Sequence, residues 1–131
     1  SQRMRGKTVL ITGATAGIGL RTAEALAERG ADLLLVGRDA AKTERVAASL
    51  RAKGGTGTPF VADLSRQDAV RRLADEVRTK TERLDVLINN GGGQFFSPAE
   101  AISPKGWDAV IATNLTGTWN LTRAVHDAFL S

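Results

Sequence analysis

Three glycines follow the first apolar segment of the chain. Gly13, Gly17 and Gly19 come just after the run 8–11, and without a Cβ their backbone can turn sharply and lie against a ligand. A helix predicted over residues 20–29 points its free N–H groups and positive dipole end at this turn. The stretch therefore predicts a pyrophosphate site. The alternative is close helix–strand packing, because the spacing G-x-x-x-G-x-G only partly matches the common dinucleotide fingerprint.

A second candidate group lies where the second apolar segment ends. In dinucleotide-binding folds an acidic residue is expected roughly 20 residues past the glycine turn, where its carboxylate binds the ribose hydroxyls. This chain has Gly37 and Arg38 there. The guanidinium of Arg38 matches a 2′-phosphate and Lys42 could assist it, so the sequence favours NADP(H) over NAD(H). Two alternatives stay open: Asp39 could return an acid to the site, or Arg38 could be a solvated surface residue.

Another glycine-rich stretch follows the fourth apolar segment. Asn90, Gly91 and Gly92 end that segment, and Phe95 and Phe96 come a few residues later. Two adjacent aromatic rings could form one wall of an apolar slot for a substrate. They could equally fold back as local core.

The last segment reads as one amphipathic helix. Ser103 followed by Pro104 is typical of a helix start. Asn114 falls on the apolar face, where a buried amide needs partners, and Gly117 could loosen the helix enough to provide them. The predicted apolar face consists of Trp107, Val110, Ile111, Leu115, Leu121, Val125, Ala128 and Phe129.

Apolar runs alternate with helical patterns along the whole chain. Strands are predicted at 8–11, 32–36, 58–62 and 85–89, with helices between them. Asp39 is predicted to cap the start of one helix, and a capping box at Ser65 the start of the next. Pro59 lies near the start of the third strand. It indicates either that this strand is at the edge of the sheet or that the proline is the first residue of the strand. The alternation predicts an α/β fold with a doubly wound, Rossmann-like parallel sheet. This chain should form the first half of that sheet, with about four strands in the order 3-2-1-4 and helices on both faces. The two glycine-rich loops should then be neighbours.

Composition narrows the classes of function. The chain has 131 residues, enough for one domain, which we assign to 1–131, and its net charge of +4 is dispersed among acidic residues rather than interleaved with aromatics as in nucleic-acid-binding surfaces. With no cysteine and one histidine, His126, it offers no metal site of the thiolate or histidine-rich kind. No run of apolar residues approaches the ~18 residues of a membrane span, so no membrane partner is expected. We expect a cytoplasmic location.

Four stretches together resemble the short-chain dehydrogenase/reductase family. They are Thr12 to Gly19, Ala62 to Leu64, Asn89 to Gly92, and Thr113 to Gly117, in that order. The family usually has alanine where this chain has Gly91, and the resulting Asn-Asn-Gly-Gly-Gly variant resembles the enoyl-CoA and dienoyl-CoA reductase branch. The resemblance implies an NADP(H)-dependent oxidoreductase that transfers hydride to or from a carbonyl or enoyl small molecule, with acyl-CoA among the candidate substrates. It also implies a homo-oligomer, a dimer or a tetramer.

The resemblance also implies residue roles. It assigns the pyrophosphate to the glycine loop, the adenine to the end of the third strand, and the nicotinamide ribose to the end of the fourth. Asp63 could instead be a helix-entry cap beside Ser65, and Asn90 a turn residue. Of the family's catalytic residues only the asparagine carries over, to Asn114, which would hold a water in a proton relay or be a kink amide bound by neighbouring backbone. The cofactor-binding residues are Gly13, Thr15, Ala16, Gly17, Ile18, Gly19, Arg38, Asp63, Leu64, Asn90, Gly91 and Gly92.

One departure from the family concerns catalysis. The family's catalytic serine and Tyr-x-x-x-Lys motif find no match, and the chain contains no tyrosine. We therefore expect these 131 residues to be a cofactor-binding part that lacks its C-terminal catalytic part. The alternative is a non-catalytic dinucleotide-binding or assembly module.

Overall fold

The computed structural model describes residues 3–91 and 99–130. A parallel sheet of four strands forms its centre, in the order β3-β2-β1-β4. This confirms the predicted strand order, and it places Pro59 on the edge strand β3, where a missing N–H is tolerated. The strands are β1 Thr8–Thr12, β2 Asp32–Gly37, β3 Thr56–Val61 and β4 Val86–Ile88.

The fourth strand is shorter than predicted. Asp85, expected to begin the strand, accepts a hydrogen bond through its carboxylate from the backbone N–H of Thr8, 2.8 Å away. Asn89, expected to end it, donates from its side-chain amide to Thr122 Oγ1 at 3.0 Å. The residues paired with β1 are Val86–Ile88, although the backbone N–H of Asp85 also donates to the carbonyl oxygen of Thr8 at 3.0 Å.

Helices connect the strands and follow the last one. They are α1 Gly17–Glu28, α2 Ala40–Ala52, α3 Gln67–Lys80, α4 Pro104–Ile111 and α5 Gly117–Leu130. A 3-10 turn, Ala99–Ala101, precedes α4, and a π-helical segment, Ala112–Thr116, joins α4 to α5. None of the helices in the described part of the chain combines the length and the apolar character needed to cross a bilayer.

Helices cover both faces of the sheet, as predicted. Successive residues of β1 and β2 point to opposite faces, so each strand contributes to two cores. One core packs the sheet against α3 and α5, and the other packs it against α1 and α2. The first includes Leu10, Leu34, Val36, Leu73 and Leu121, and the second includes Val9, Ile11, Leu33, Leu35 and Leu50.

Two of the three predicted helix caps are present. Asp39 accepts from the backbone N–H of Lys42 at 3.0 Å, and Ser103 accepts from that of Gly106 at 3.0 Å. The capping box at Ser65 was wrong. The capping position of α3 is held by Arg66 and not by Ser65, and no side chain caps the helix; the hydroxyl of Ser65 donates to Asp63 Oδ1 at 2.6 Å.

The predicted apolar face of the last segment is only partly correct. Leu121 and Val125 are buried, but Trp107 and Leu115 are 59% and 64% exposed. The π-helical segment explains the difference, since its wider turn breaks the 3.6-residue period that a single helix would keep. The faces of α4 and α5 are therefore not continuous.

Candidate functional site

A buried threonine joins the carboxyl ends of β1 and β4. Thr12 is 1% exposed, and its Oγ1 accepts hydrogen bonds from the backbone N–H groups of Asn90 at 2.9 Å and Gly91 at 2.6 Å. Its own hydroxyl lies 3.5 Å from the carbonyl oxygen of Ile88. The two glycine-rich loops are thus neighbours, as predicted, and Thr12 is a site residue that sequence reasoning missed. A polar β-branched residue closing an apolar strand was the available signal.

The three glycines of the first loop occur there for different structural reasons. A Cβ on Gly13 would collide with the carbonyl oxygen of Asn90, and one on Gly19 would collide with the carbonyl oxygen of Gly13 and the side-chain amide of Asn90. These two positions match the packing alternative. Gly17 has φ of +57° and open space around it, so its backbone can be approached from outside.

Helix α1 begins at this open position. Its cap residue, Ala16, provides no side-chain hydrogen bond, and no acidic side chain stands in its first turn. Ala16 and Ile18 are exposed, while Thr15 is half-buried beside them. The helix therefore presents backbone N–H groups and a positive dipole end without a side-chain anion from its own first turn.

A cleft of about 250 Å³ opens at the carboxyl ends of the strands. It brings together residues from the ends of all four strands, as the topology predicted. A larger hollow of about 670 Å³ lies at the opposite end of the sheet, where β2 and β3 begin, and contains none of the predicted site residues. The smaller cleft is lined by Gly13, Thr15, Val36, Gly37, Arg38, Asp39, Lys42, Ala62, Leu64 and Gly91.

Arg38 and Asp63 face each other at the rim of this cleft. Nη2 of Arg38 lies 3.8 Å from Oδ2 of Asp63, and the Arg38 side chain is 71% exposed. Oδ1 of Asp63 accepts from the hydroxyl and the backbone N–H of Ser65. These bonds, the Ser65 hydroxyl first, together with the charges of Arg38 and Arg66, hold the pKa of Asp63 below its ordinary value. One carboxylate oxygen thus serves the local turn, and the other lies beside Arg38.

Asp39 is occupied at the start of α2. Its carboxylate accepts from the backbone N–H of Lys42, and this bond is the largest of the causes that lower its pKa. The helix cap predicted at Asp39 is therefore present, and this carboxylate is engaged there. Arg38 and Lys42 are both exposed at the same rim.

The predicted catalytic asparagine lies in the π-helical segment. Asn114 is exposed and stands between α4 and α5, on the side of the sheet that α3 also covers. Gly117, three residues later, is buried. A Cβ at this position would collide with the backbone carbonyl oxygen of Leu64. The close approach at Gly117 thus brings this helix against the end of β3. The helix is loosened, as predicted, over the five residues that precede the glycine.

Part of the predicted site lies outside the described residues. Gly92, assigned to the nicotinamide ribose, and the pair Phe95 and Phe96, assigned to a substrate wall, belong to the stretch 92–98. Their roles stay predictions.

Comparisons with known proteins identify the family of this chain. The family described as short chain dehydrogenase matches residues 7–131. D-threitol dehydrogenase of Mycolicibacterium smegmatis is 37% identical over 98% of this chain and 49% of its own length. A peroxisomal 2,4-dienoyl-CoA reductase of Arabidopsis thaliana is 30% identical over 92% of this chain and 41% of its own. The chain thus spans about half the length, or less, of these curated relatives.

Solved structures give the same result. The citronellol catabolism dehydrogenase of Pseudomonas aeruginosa superposes with a TM-score of 0.92 at 34% identity, over 98% of this chain and 53% of that one. A metagenomic short-chain oxidoreductase in complex with NADP superposes with a TM-score of 0.87 at 37% identity, over 95% of this chain and 57% of that one. The fold is therefore one that these solved proteins share, and this chain belongs to the short-chain dehydrogenase family.

Proposed function

We propose that this chain is the dinucleotide-binding part of an NADP(H)-dependent oxidoreductase that transfers hydride to or from a carbonyl or enoyl substrate. Family membership supports the oxidoreductase class. The observation that carries the cofactor proposal is the cleft itself, whose lining includes Arg38 and Thr15, the residue just before the uncapped start of α1. Both features suit an anionic ligand.

The residues present fit a dinucleotide. The open backbone at Gly17 admits a phosphate group to the N–H groups of Ile18 and Gly19, and Thr15 and Ala16 flank it. Oδ2 of Asp63 lies beside Arg38 at the rim, and in this proposal it accepts from the exocyclic amine of an adenine next to Leu64, which lines the cleft. Asn90 and Gly91, held by Thr12, would contact the ribose next to the nicotinamide together with Gly92.

The nicotinamide, when bound, supplies or accepts the hydride. The chain's own contribution is to hold the dinucleotide in one orientation, and Asn114 is proposed to hold a water for proton transfer. Hydride addition to a carbonyl also needs a positioned acid, and the chain contains no tyrosine. A polypeptide of only these 131 residues is therefore expected to bind dinucleotide without turnover.

Arg38 supports NADP(H) over NAD(H). Its guanidinium is exposed at the rim, while the carboxylate of Asp39 is engaged as a cap, so the charged group available to a 2′-phosphate is positive. The NADP-bound neighbour at 37% identity is in line with this choice. The test is calorimetric titration of the full-length protein with both cofactors. Equal affinity for NAD(H) and NADP(H) would refute the proposal.

The substrate proposal is an enoyl or acyl thioester. It rests on the stretch from Asn90 to Phe96 and on the dienoyl-CoA reductase name of one relative, although another relative is named as a D-threitol dehydrogenase. A chain-length series of enoyl thioesters tests it, since each buried CH₂ adds about 0.8 kcal/mol. We expect kcat/KM to rise with chain length, with Phe95→Ala and Phe96→Ala flattening the rise. A preference for small polyols would refute it.

Two further properties are proposed with this function. By family resemblance the protein is a cytoplasmic homo-oligomer that acts on a small molecule. Sedimentation of the full-length protein tests the oligomeric state, and a monomer at micromolar concentration would refute it. A bound dinucleotide without any turnover on carbonyl or enoyl substrates would favour the alternative, a non-catalytic module.

A further inference from the structure

Gly37 stands where an acidic residue would bind the ribose hydroxyls of NAD(H). It ends β2, and its φ lies outside the left-handed region, so its backbone conformation does not require glycine. Space is the constraint instead. A Cβ at this position would collide with Oγ1 of Thr43 and would lie 3.2 Å from Cγ2 of Thr15.

Thr43 cannot easily move aside. It is completely buried in the first turns of α2, and its hydroxyl donates to the carbonyl oxygen of Asp39 at 2.7 Å. Its own backbone N–H bonds the same oxygen at 3.0 Å. As a β-branched residue in a helix it has few allowed rotamers, and the one observed places the hydroxyl against Gly37.

We infer that Thr43 is a cofactor-selectivity residue: its buried hydroxyl occupies the space that an acidic side chain at position 37 would need. The chain therefore cannot present a carboxylate to the ribose hydroxyls of NAD(H), and Arg38 is left to bind the 2′-phosphate. Thr43 does not line the cleft, so it acts through position 37 and not by touching the cofactor. This inference rests on the proposed NADP(H) function.

The steric part of the inference is tested without cofactor. Alanine is introduced at Gly37 of the full-length protein in three backgrounds: the parent, Thr43→Ala and Thr43→Val. Valine keeps a γ atom where the hydroxyl was, whereas alanine leaves only a Cβ, 3.5 Å from the new methyl group. We expect Gly37→Ala to lower Tm by about 3 °C or more in the parent and the valine background, and by less than half as much in the alanine background. An equal loss in all three would overturn the inference.

The selectivity part is read from binding. Dissociation constants for NAD(H) and NADP(H) are measured for Thr43→Ala, Gly37→Asp/Thr43→Ala and Gly37→Asp/Thr43→Val. We expect the aspartate to tighten NAD(H) binding about tenfold in the alanine background and not in the valine background. The same gain in both backgrounds, or in neither, would overturn the inference.

The two proposals fail differently. If the parent binds NAD(H) as tightly as NADP(H), the cofactor proposal fails, while the Tm coupling between positions 37 and 43 still decides whether Thr43 fills the space. If the parent prefers NADP(H) and no coupling is found, the Thr43 inference fails and the cofactor proposal stands.

Discussion

The hydroxyl oxygen of Thr12 lies 2.6 Å from the backbone nitrogen of Gly91, which is 79 residues further along the chain. The same oxygen accepts from the backbone N–H of Asn90. One buried side chain thus sets the spacing between the two loops, both of which contribute to the lining of the cleft. The pairing of β1 with β4 ends at Ile11 and Ile88, so beyond that point the threonine hydroxyl holds the two chain segments together.

Replacing Thr12 with valine should therefore damage both stability and the site. Valine keeps the shape but leaves two backbone N–H groups without their acceptor, which costs about 2 kcal/mol or more in the free energy of unfolding. Thr12→Ser keeps the hydroxyl and is expected to lose only about 1 kcal/mol, for the missing methyl group. Urea denaturation of the full-length variants measures both. Equal losses for valine and serine would show that the two bonds contribute little.

Arg38→Ala should weaken NADP(H) binding selectively. A charge-assisted hydrogen bond contributes roughly 1.5–3 kcal/mol, so the dissociation constant for NADP(H) is expected to rise by about tenfold to a hundredfold while that for NAD(H) hardly changes. Arg21→Ala is the matched control, because Arg21 is an exposed arginine that does not line the cleft. An unchanged ratio of the two constants in Arg38→Ala would contradict the assignment.

Gly17 and Gly54 form a matched pair. Both have positive φ, of 57° and 87°, and open space where a Cβ would be, but only Gly17 lies at the start of α1. Alanine at either position should cost about 1–2 kcal/mol of stability through left-handed strain. Only Gly17→Ala should weaken dinucleotide binding, because its methyl group stands in the path of the phosphates. Thermal unfolding and titration separate the two effects, and an equal loss of affinity in both variants would contradict the phosphate site.

The acidity of Asp63 should depend on Ser65. Because the Ser65 hydroxyl is the largest of the causes that lower this pKa, Ser65→Ala should raise it toward the ordinary value of 3.8, and Arg38→Ala should raise it less. A lowered pKa in the folded state contributes stability above the ordinary value, which is lost as the pH falls below it. Asp63→Asn should accordingly unfold with a shallower acid dependence below about pH 4. Carbon NMR titration of the carboxyl group measures the pKa, and a larger shift in Arg38→Ala than in Ser65→Ala would contradict this order.

The strand order and the meeting of the two loops were predictable from the sequence. Apolar runs that alternate with helical patterns leave few topologies, and parallel strands bring their carboxyl ends to one edge. The start of α3 was not predictable, since the hydroxyl of Ser65 could serve either the helix or Asp63 and the choice depends on local geometry. Gly117 predicted that the helix would loosen near Asn114, but not that it would do so as a π-helical segment, because the close contact of Gly117 with Leu64 joins distant parts of the chain. Thr12 and Thr43 were missed because, in a sequence, a threonine with a buried hydroxyl cannot be told from any other strand or helix residue. Only its hydrogen-bond partners distinguish it.

The cleft draws its lining from positions as far apart as 13 and 91, so it also bears on the order of folding. Contacts between distant parts of a chain form slowly, because closing the long loop between them costs chain entropy before the contacts stabilise it. The pairing of β1 with β4, and with it the Thr12 bonds, should therefore form late in folding. A dinucleotide added during refolding would then leave the folding rate almost unchanged and slow unfolding instead, since it binds contacts that form after the transition state.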